Sequence, residues 1–120
     1  MPSTVQPIVV SADVEHLRRF YAELLGAVET QRVPEEGPLF YLGLRLGDSD
    51  LGLVQDVDAE DAPAGRILLS IDVPDVAALV PRIAPLGGIV VGGPNDMPWG
   101  QRVLHIKDPD GNTVNLTQEI

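Results

Sequence analysis

Residues 97–118, MPWGQRVLHIKDPDGNTVNLTQ, predict a β-hairpin against which the rest of the chain can be placed. Gln101–Lys107 and residues 113–118 alternate apolar and polar side chains, which is typical of half-buried strands. The segment between them, DPDGN at residues 108–112, is rich in turn formers. Pro109 fixes φ near the value that a turn needs, and Gly111 accommodates positive φ. Two antiparallel strands joined by a short turn are therefore expected.

The alternation gives this hairpin two chemically different faces. One face is apolar and should join the core: Leu104, Ile106, Val114 and Leu116. The other face is mixed: Val103, His105, Lys107, Thr113, Asn115 and Thr117. A face that combines an imidazole, an amide, hydroxyls and apolar groups is more typical of a pocket wall than of a solvated surface.

The composition indicates one globular domain covering residues 1–120. Hydrophobic residues make up 44% of the chain, enough for a sizeable core. Eighteen acidic and eight basic residues give a formal charge of −10, which argues against nucleic acid and anionic membranes as partners. No apolar run approaches the roughly 20 residues of a membrane span, and no secretory pattern opens the chain, so a cytoplasmic protein is expected. The absence of cysteine excludes disulfides, thiolate metal ligands and a cysteine nucleophile.

The chain contains an internal repeat. Module one, about residues 1–55, begins with a strand at 6–12 and a helix that starts at the N-cap Asp13 and ends at Gly26. An acidic linker, about residues 56–65, precedes module two, about residues 66–120. Module two repeats the order with a strand at 66–73, the N-cap Asp75 and a helix that ends at Gly87-Gly88. Six residues of module one correspond at a constant offset to six of module two: Asp13, Val14, Leu17, Leu24, Gly26 and Val28 to Asp75, Val76, Leu79, Leu86, Gly88 and Val90.

Further elements follow from local signals. Residues 39–46 and 51–55 alternate around a turn at 47–50 and predict two strands. Residues 89–91 are predicted to be extended, and 92–97 are predicted to form a loop. Pro81 removes one helical hydrogen bond, so the second helix should be kinked or tightened there, with Pro85 in its last turn.

Several of these segments resemble the vicinal-oxygen-chelate superfamily of glyoxalases, bleomycin-resistance proteins and ring-cleavage dioxygenases. The matching residues are Trp99-Gly100 and DPDGN at 108–112, together with Phe20-Tyr21 and Leu25-Gly26 in the first helix. The resemblance implies an α+β fold in which two βαβββ modules form a curved eight-stranded sheet with helices on the convex side. It also implies a homodimer and a ligand site on the concave face.

In the metal-using members, four positions supply the ligands. By the resemblance and the repeat offset, these positions fall here on Gln6, Leu68, Asn115 and either Leu53 or, with a one-residue slip, Gly52. Two of the positions have lost a donor side chain, and Asn115 stands where the metal enzymes have glutamate. Gln6 and Asn115 offer only neutral oxygens, a poor substitute for carboxylates around a divalent cation. We therefore expect no metal at this site and no cofactor.

The ligand site is expected to use rings and neutral polar groups instead. Trp99 is either a stacking surface or a structural plug. Phe40 and Tyr41 are adjacent on a strand, so only one of them can face the groove. The hydrogen-bonding candidates are Gln6, Ser70, His105, Asn115 and Thr117, with Leu68 as an apolar neighbour and Asp72 as the partner for a cationic group.

Three functional hypotheses follow. The first is a non-catalytic homodimer that binds an aromatic or drug-like small molecule without metal, as bleomycin-resistance proteins do, with antibiotic resistance by sequestration as its outcome. The second is a metal-independent or degenerate glyoxalase-like lyase or isomerase, or a hydrolase, with His105 as acid or base. The third is a groove that serves only as a dimer-packing surface.

Overall fold

The computed structural model describes residues 6–57 and 68–120. The chain divides into two compact units, Met1–Ala62 and Pro63–Ile120, which we call module one and module two and describe separately. The predicted acidic linker lies, from residue 58 onward, outside the described residues, as do the first two residues of the strand predicted at 66–73.

Module one has the order βαβββ. Its elements are β1 (Ile8–Ser11), α1 (Val14–Leu25), β2 (Val28–Val33), β3 (Tyr41–Leu46) and β4 (Ser49–Gln55). The strands form a four-stranded sheet in the order β1-β4-β3-β2. β1 runs parallel to β4, and the other neighbours are antiparallel.

The first helix has the termini that the sequence predicts. Asp13 accepts a hydrogen bond from the backbone N–H of His16 at 3.3 Å, and Gly26 closes the helix in the left-handed region with φ of 75°. Phe20 and Tyr21 are fully buried and meet edge to face with their ring centroids 5.2 Å apart. These two aromatic residues therefore belong to the core of module one.

Module two repeats the same order. Its elements are β5 (Leu69–Asp72), α2 (Val76–Ile83), β6 (Ile89–Asp96), β7 (Gln101–Lys107) and β8 (Thr113–Glu119). The sheet order is β5-β8-β7-β6, with β5 parallel to β8. The α+β class and the two βαβββ modules are thus confirmed. Hydrogen bonds join the eight described strands into two sheets of four, one in each module.

The closing hairpin forms as predicted, and Asp108 organises its turn. The Asp108 carboxylate is 1% exposed and accepts hydrogen bonds from the backbone N–H groups of Asp110 and Asn112, each at 3.0 Å. Its second oxygen accepts from Asn112 Nδ2 at 2.8 Å. Gly111 has φ of 85°, the conformation that glycine adopts without strain. The four residues assigned to the core face, Leu104, Ile106, Val114 and Leu116, are all buried.

The loop prediction for residues 92–97 was wrong, because β6 continues to Asp96. The sequence GGP resembles a chain breaker, but β6 is an edge strand, where a missing N–H and a bulge are tolerated. The register shifts twice along β6. At Gly93, where φ is 94°, a Cβ would lie 2.6 Å from the carbonyl oxygen of Val103, so this position requires glycine.

The second helix has Pro85 in its last turn, as predicted, and its 3-10 tightening lies there rather than at Pro81. It passes through Pro81 without changing type, ends at Ile83 and tightens only at a single 3-10 turn, Ala84–Leu86. Pro85 has no N–H to continue the α-helical ladder, which accounts for the tightening at that point. Gly87, with φ of 94°, then closes the turn, so Gly88 is not the counterpart of Gly26.

Candidate functional site

In module two, the sheet face opposite the core is built from the predicted mixed row of the hairpin. We call such a face, on either module, the helix-free face. Across β7 and β8 it carries the cross-strand pairs Val103 with Thr117, His105 with Asn115, and Lys107 with Thr113. Val103 and Thr117 are each only 4% exposed, whereas His105 and Asn115 are half-buried. Polar chemistry is therefore concentrated at the centre of the face.

His105 and Asn115 are directly bonded. His105 Nδ1 lies 2.8 Å from Asn115 Oδ1. Because a carboxamide oxygen can only accept, Nδ1 carries the proton, and in the neutral ring Nε2 is then an acceptor. Within residues 6–57 and 68–120, Nε2 makes no hydrogen bond. The pair thus presents one unused acceptor at the middle of the sheet.

Strand β5 extends this polar centre by two residues. Ser70 pairs in register with Asn115, and Asp72 with Thr117. Thr117 Oγ1 donates to Asp72 Oδ1, while exposed Ser70 makes no side-chain hydrogen bond within the described part of the chain. A surface pocket of about 430 Å³ lies at this end of the strands, lined by Asp72, Val73, Pro74, Thr117, Gln118 and Glu119.

Module one has a different centre. The pair in the register of His105 and Asn115 is Gly43 with Gly52, which has no side chains. Tyr41 lies over this pair, because a Cβ on Gly52 would come 3.0 Å from Tyr41 Cε2 and 3.1 Å from its hydroxyl oxygen. Gln6 Nε2 donates to the Tyr41 hydroxyl at 2.9 Å. Tyr41 is therefore the residue of the two that lies on the helix-free face, and Phe40, which precedes β3, is 60% exposed.

The pairing of the parallel strands decides between Gly52 and Leu53 as the repeat counterpart of Asn115. Ile8 pairs with Gly52 in module one as Ser70 pairs with Asn115 in module two. Gly52 rather than Leu53 is therefore the counterpart of Asn115. Gly52 and Leu68 have no donor side chain.

The two remaining positions carry neutral amides that already make hydrogen bonds, Gln6 to Tyr41 and Asn115 to His105. In the described ranges, no three His, Asp or Glu residues are grouped so that they could hold a metal ion. This donor set does not fit a divalent cation.

Trp99 occupies a turn between β6 and β7 and is 68% exposed. Its indole Nε1 donates to Gln101 Oε1 at 2.9 Å, which fixes one edge of the ring and leaves its surface accessible. Leu68, just before β5, is also exposed. The sequence did not indicate the contact between Tyr41 and Gln6, although a glycine on each of two adjacent strands was a visible sign that something lies against them.

An ion pair joins β6 and β7 away from these polar centres. Arg102 donates to Asp96 at 2.7 Å, which lowers the pKa of the Asp96 carboxyl and raises the pKa of the Arg102 guanidinium. No helix among the described residues is long and apolar enough to cross a membrane.

Comparison with known proteins agrees with this architecture. Residues 4–116 match the family model of the Glyoxalase/Bleomycin resistance protein/Dioxygenase superfamily. An uncharacterized protein of Mycobacterium bovis is 28% identical over 126 residues, which covers 97% of this chain and 83% of that protein.

Solved structures show the same fold. A glyoxalase/bleomycin resistance protein/dioxygenase family enzyme from Burkholderia phytofirmans PsJN matches with a TM-score of 0.80 at 20% identity, over 96% of this chain and 97% of that one. The fosfomycin resistance protein FosX from Mesorhizobium loti matches with a TM-score of 0.76 at 15% identity, over 100% and 94% of the two chains. The family match covers most of the sequence, and the strand order and helices agree with it. The chain therefore belongs to the Glyoxalase/Bleomycin resistance protein/Dioxygenase superfamily.

Proposed function

We propose that this protein binds a small molecule with an aromatic or other planar part, without metal and without chemical conversion. The binding site is centred on the helix-free face of module two. The observation that carries the proposal is the His105–Asn115 pair, with 2.8 Å between Nδ1 and Oδ1. It places a half-buried, neutral hydrogen-bonding group where the metal enzymes of the superfamily have a carboxylate.

The surrounding groups suit a neutral or weakly cationic ligand. His105 Nε2 accepts a hydrogen bond from a ligand N–H or O–H, and the Ser70 hydroxyl can donate or accept beside it. Asp72, held by Thr117, is the carboxylate nearest in register and suits a cationic substituent. Exposed Trp99 offers an aromatic surface for a ligand ring.

A thermal-shift screen of flat aromatic and glycopeptide antibiotics tests the proposal. A ligand present at about 100 times its dissociation constant should add roughly 2.7 kcal/mol to the free energy of unfolding. His105→Ala and Asn115→Ala should each abolish the shift that a hit produces. Asp48→Ala, an exposed change in the turn between β3 and β4 of module one, is the control and should retain it. An empty screen, or hits that both site variants bind as well as the wild type, would refute the proposal.

A second candidate is a metal-independent lyase or isomerase. It is favoured by the unused Nε2 of His105, because an imidazole oriented through its Nδ1–H is the usual arrangement of a general base. In that case His105 Nε2 would take a proton from the substrate. Turnover of a hemithioacetal is the first assay, and a His105→Ala variant with full activity would remove this mechanism.

We also propose that the protein acts as a homodimer, as the superfamily resemblance implies. Apolar side chains on β1 support it, because Ile8 and Val10 are 56% and 51% exposed. Light scattering coupled to size-exclusion chromatography should give twice the chain mass of 12.9 kDa. A monomer at micromolar concentration would contradict this proposal and leave the ligand site of module two unaffected.

A further inference from the structure

The Tyr41 hydroxyl lies over the centre of the module-one sheet. A Cβ on Gly52 would come 3.1 Å from this oxygen, and a Cβ on Gly43 would come 3.5 Å from it. A side chain at position 52 would collide with the Tyr41 ring. Gly52 therefore leaves room for the Tyr41 side chain to extend over β3 and β4. The hydroxyl therefore sits above the cross-strand pair rather than at the sheet margin.

The corresponding place in module two carries the His105–Asn115 pair. Gly43 and Gly52 are opposite each other in β3 and β4, as His105 and Asn115 are in β7 and β8. Each module thus has a polar group over the same register position. In module two the two side chains belong to the pair itself, and in module one the group is supplied by Tyr41 from two residues earlier along the strand.

The Tyr41 hydroxyl accepts one hydrogen bond and has one proton left to donate. Gln6 Nε2 donates to the hydroxyl oxygen at 2.9 Å, which uses it as an acceptor. A phenol also has one proton to donate. In the part of the chain that the structure describes, this proton has no acceptor, although the residue is half-buried. The hydrogen bond that the Tyr41 hydroxyl accepts from Gln6 polarises its O–H bond and makes the hydroxyl a stronger donor.

We propose that Tyr41 donates a hydrogen bond to a carbonyl oxygen of a small molecule bound on the helix-free face of module one, with Gln6 as the positioning residue. This inference rests on the proposed small-molecule binding. The neutral surroundings and the net charge of −10 favour a carbonyl over a carboxylate or phosphate, because anions are repelled at long range. The ligand class is therefore planar molecules with an exposed ketone, amide or ester oxygen.

Two isosteric probes separate this role from simple ring contact. Acetophenone has a carbonyl oxygen where α-methylstyrene has a methylene group. The chain has two tyrosines, so protein labelled with ¹³C at tyrosine Cζ gives two signals, and fully buried Tyr21 is the internal reference. Acetophenone should move the Tyr41 signal saturably, while α-methylstyrene should leave it in place.

Affinity measurements on variants complete the test. Tyr41→Phe keeps the ring and should weaken acetophenone binding by about three- to tenfold, with α-methylstyrene changed by less than about twofold. Gly52→Ala, whose Cβ would lie 3.0 Å from the Tyr41 ring, should displace the ring and have the same selective effect. Circular dichroism confirms that both variants are folded.

The outcomes distinguish this inference from the proposed function. If acetophenone moves the ring signals of His105 but not the Tyr41 Cζ signal, binding in module two stands and the role of Tyr41 is refuted. Equal affinity of wild type and Tyr41→Phe for acetophenone refutes it as well. If neither His105 nor Tyr41 responds to either probe, the role of Tyr41 is refuted, and the proposed function is decided by the antibiotic screen.

Discussion

Asn115 faces His105 across the β7–β8 ladder, and its carboxamide oxygen is 2.8 Å from His105 Nδ1. This contact engages the amide oxygen of Asn115, the residue that the superfamily resemblance places at a metal-ligand position. An amide oxygen that already accepts an N–H is a weak ligand for a cation. The same contact orients the Nδ1–H of His105 toward Asn115, so one interaction both disfavours a metal and, in the neutral ring, leaves Nε2 as an acceptor for a ligand.

Metal addition and removal should therefore leave the protein unchanged. Purified protein should contain less than about one-tenth of an equivalent of zinc, nickel or iron, because neither Gly52 nor Leu68 has a donor side chain. The thermal midpoint should change by less than about 1 °C on addition of EDTA or of either zinc or nickel in excess. A saturable rise in the midpoint with any of these ions would contradict the prediction.

The His105–Asn115 contact should be measurable as a coupling energy. His105→Ala and Asn115→Ala should each lower the free energy of unfolding by about 1 kcal/mol, because each leaves a half-buried polar group without its partner. A double-mutant cycle measured by urea unfolding should give a coupling of roughly 0.5–1.5 kcal/mol. Additive effects of the two changes would show that the pair does not interact in solution.

Local signals predicted the hairpin and the helices well. Alternation from Gln101–Lys107 and the DPDGN turn are both short-range, and the observed strands match them closely. Asp13 and Gly26 likewise act within a single turn of helix. The start of β6 was predicted as extended at residues 89–91, but its continuation to Asp96 was missed because Gly92-Gly93-Pro94 breaks most strands, and only its place at the sheet edge makes this sequence acceptable.

The candidate site was only partly predictable, for a related reason. Alternation placed His105 and Asn115 on one face, but their bond depends on the register of two strands. The contact between Gln6 and Tyr41 spans 35 residues and depends on the sheet order β1-β4-β3, which no local pattern specifies. Nothing near Tyr41 in the sequence distinguishes it from Phe40 as the residue that faces the glycine pair.

The turn of the closing hairpin should be sensitive to a single atom. In Asp108→Asn, an amide nitrogen replaces one of the oxygens that accept from Asp110 N, Asn112 N and Asn112 Nδ2. The buried change should cost roughly 2–3 kcal/mol in the free energy of unfolding, measured by urea denaturation. Asp48→Asn, in the exposed turn between β3 and β4, is the control and should cost less than about 0.5 kcal/mol. Equal costs at the two turns would contradict the assigned role of Asp108.

In both modules, the free energy of unfolding should depend on a glutamine that contacts the N-terminus of the helix. Gln118 Oε1 accepts from Val76 N at 2.9 Å, and Gln55 Oε1 accepts from Val14 N at 3.0 Å. Each glutamine thus ties the last strand of its module to the N-terminus of its helix. Gln118→Ala should cost about 1 kcal/mol, whereas Gln118→Glu should retain stability because a carboxylate is favoured at a helix N-terminus. Gln55→Ala should cost more, since Gln55 Nε2 also donates to the carbonyl oxygen of Ala12.

Stability should fall in acid partly through Glu15. Its hydrogen bond to Arg18, together with Arg32, lowers the pKa of the Glu15 carboxyl below the ordinary value of 4.5. A lowered pKa contributes stability above the unfolded value, and that contribution is lost as the pH falls below 4.5 through the folded value. Because the Glu15 side chain is 49% exposed, the effect should be only a few tenths of a kcal/mol.

The variant Glu15→Gln isolates this contribution. At about pH 7 it should unfold at a lower urea concentration than the wild type, and the difference should shrink steadily as the pH is lowered below the ordinary glutamate value. Glu36→Gln is the matched control, because exposed Glu36 forms no ion pair within the described ranges. If the stability difference between Glu15→Gln and the wild type stayed constant from neutral to strongly acidic pH, packing rather than the charge of Glu15 would account for its contribution.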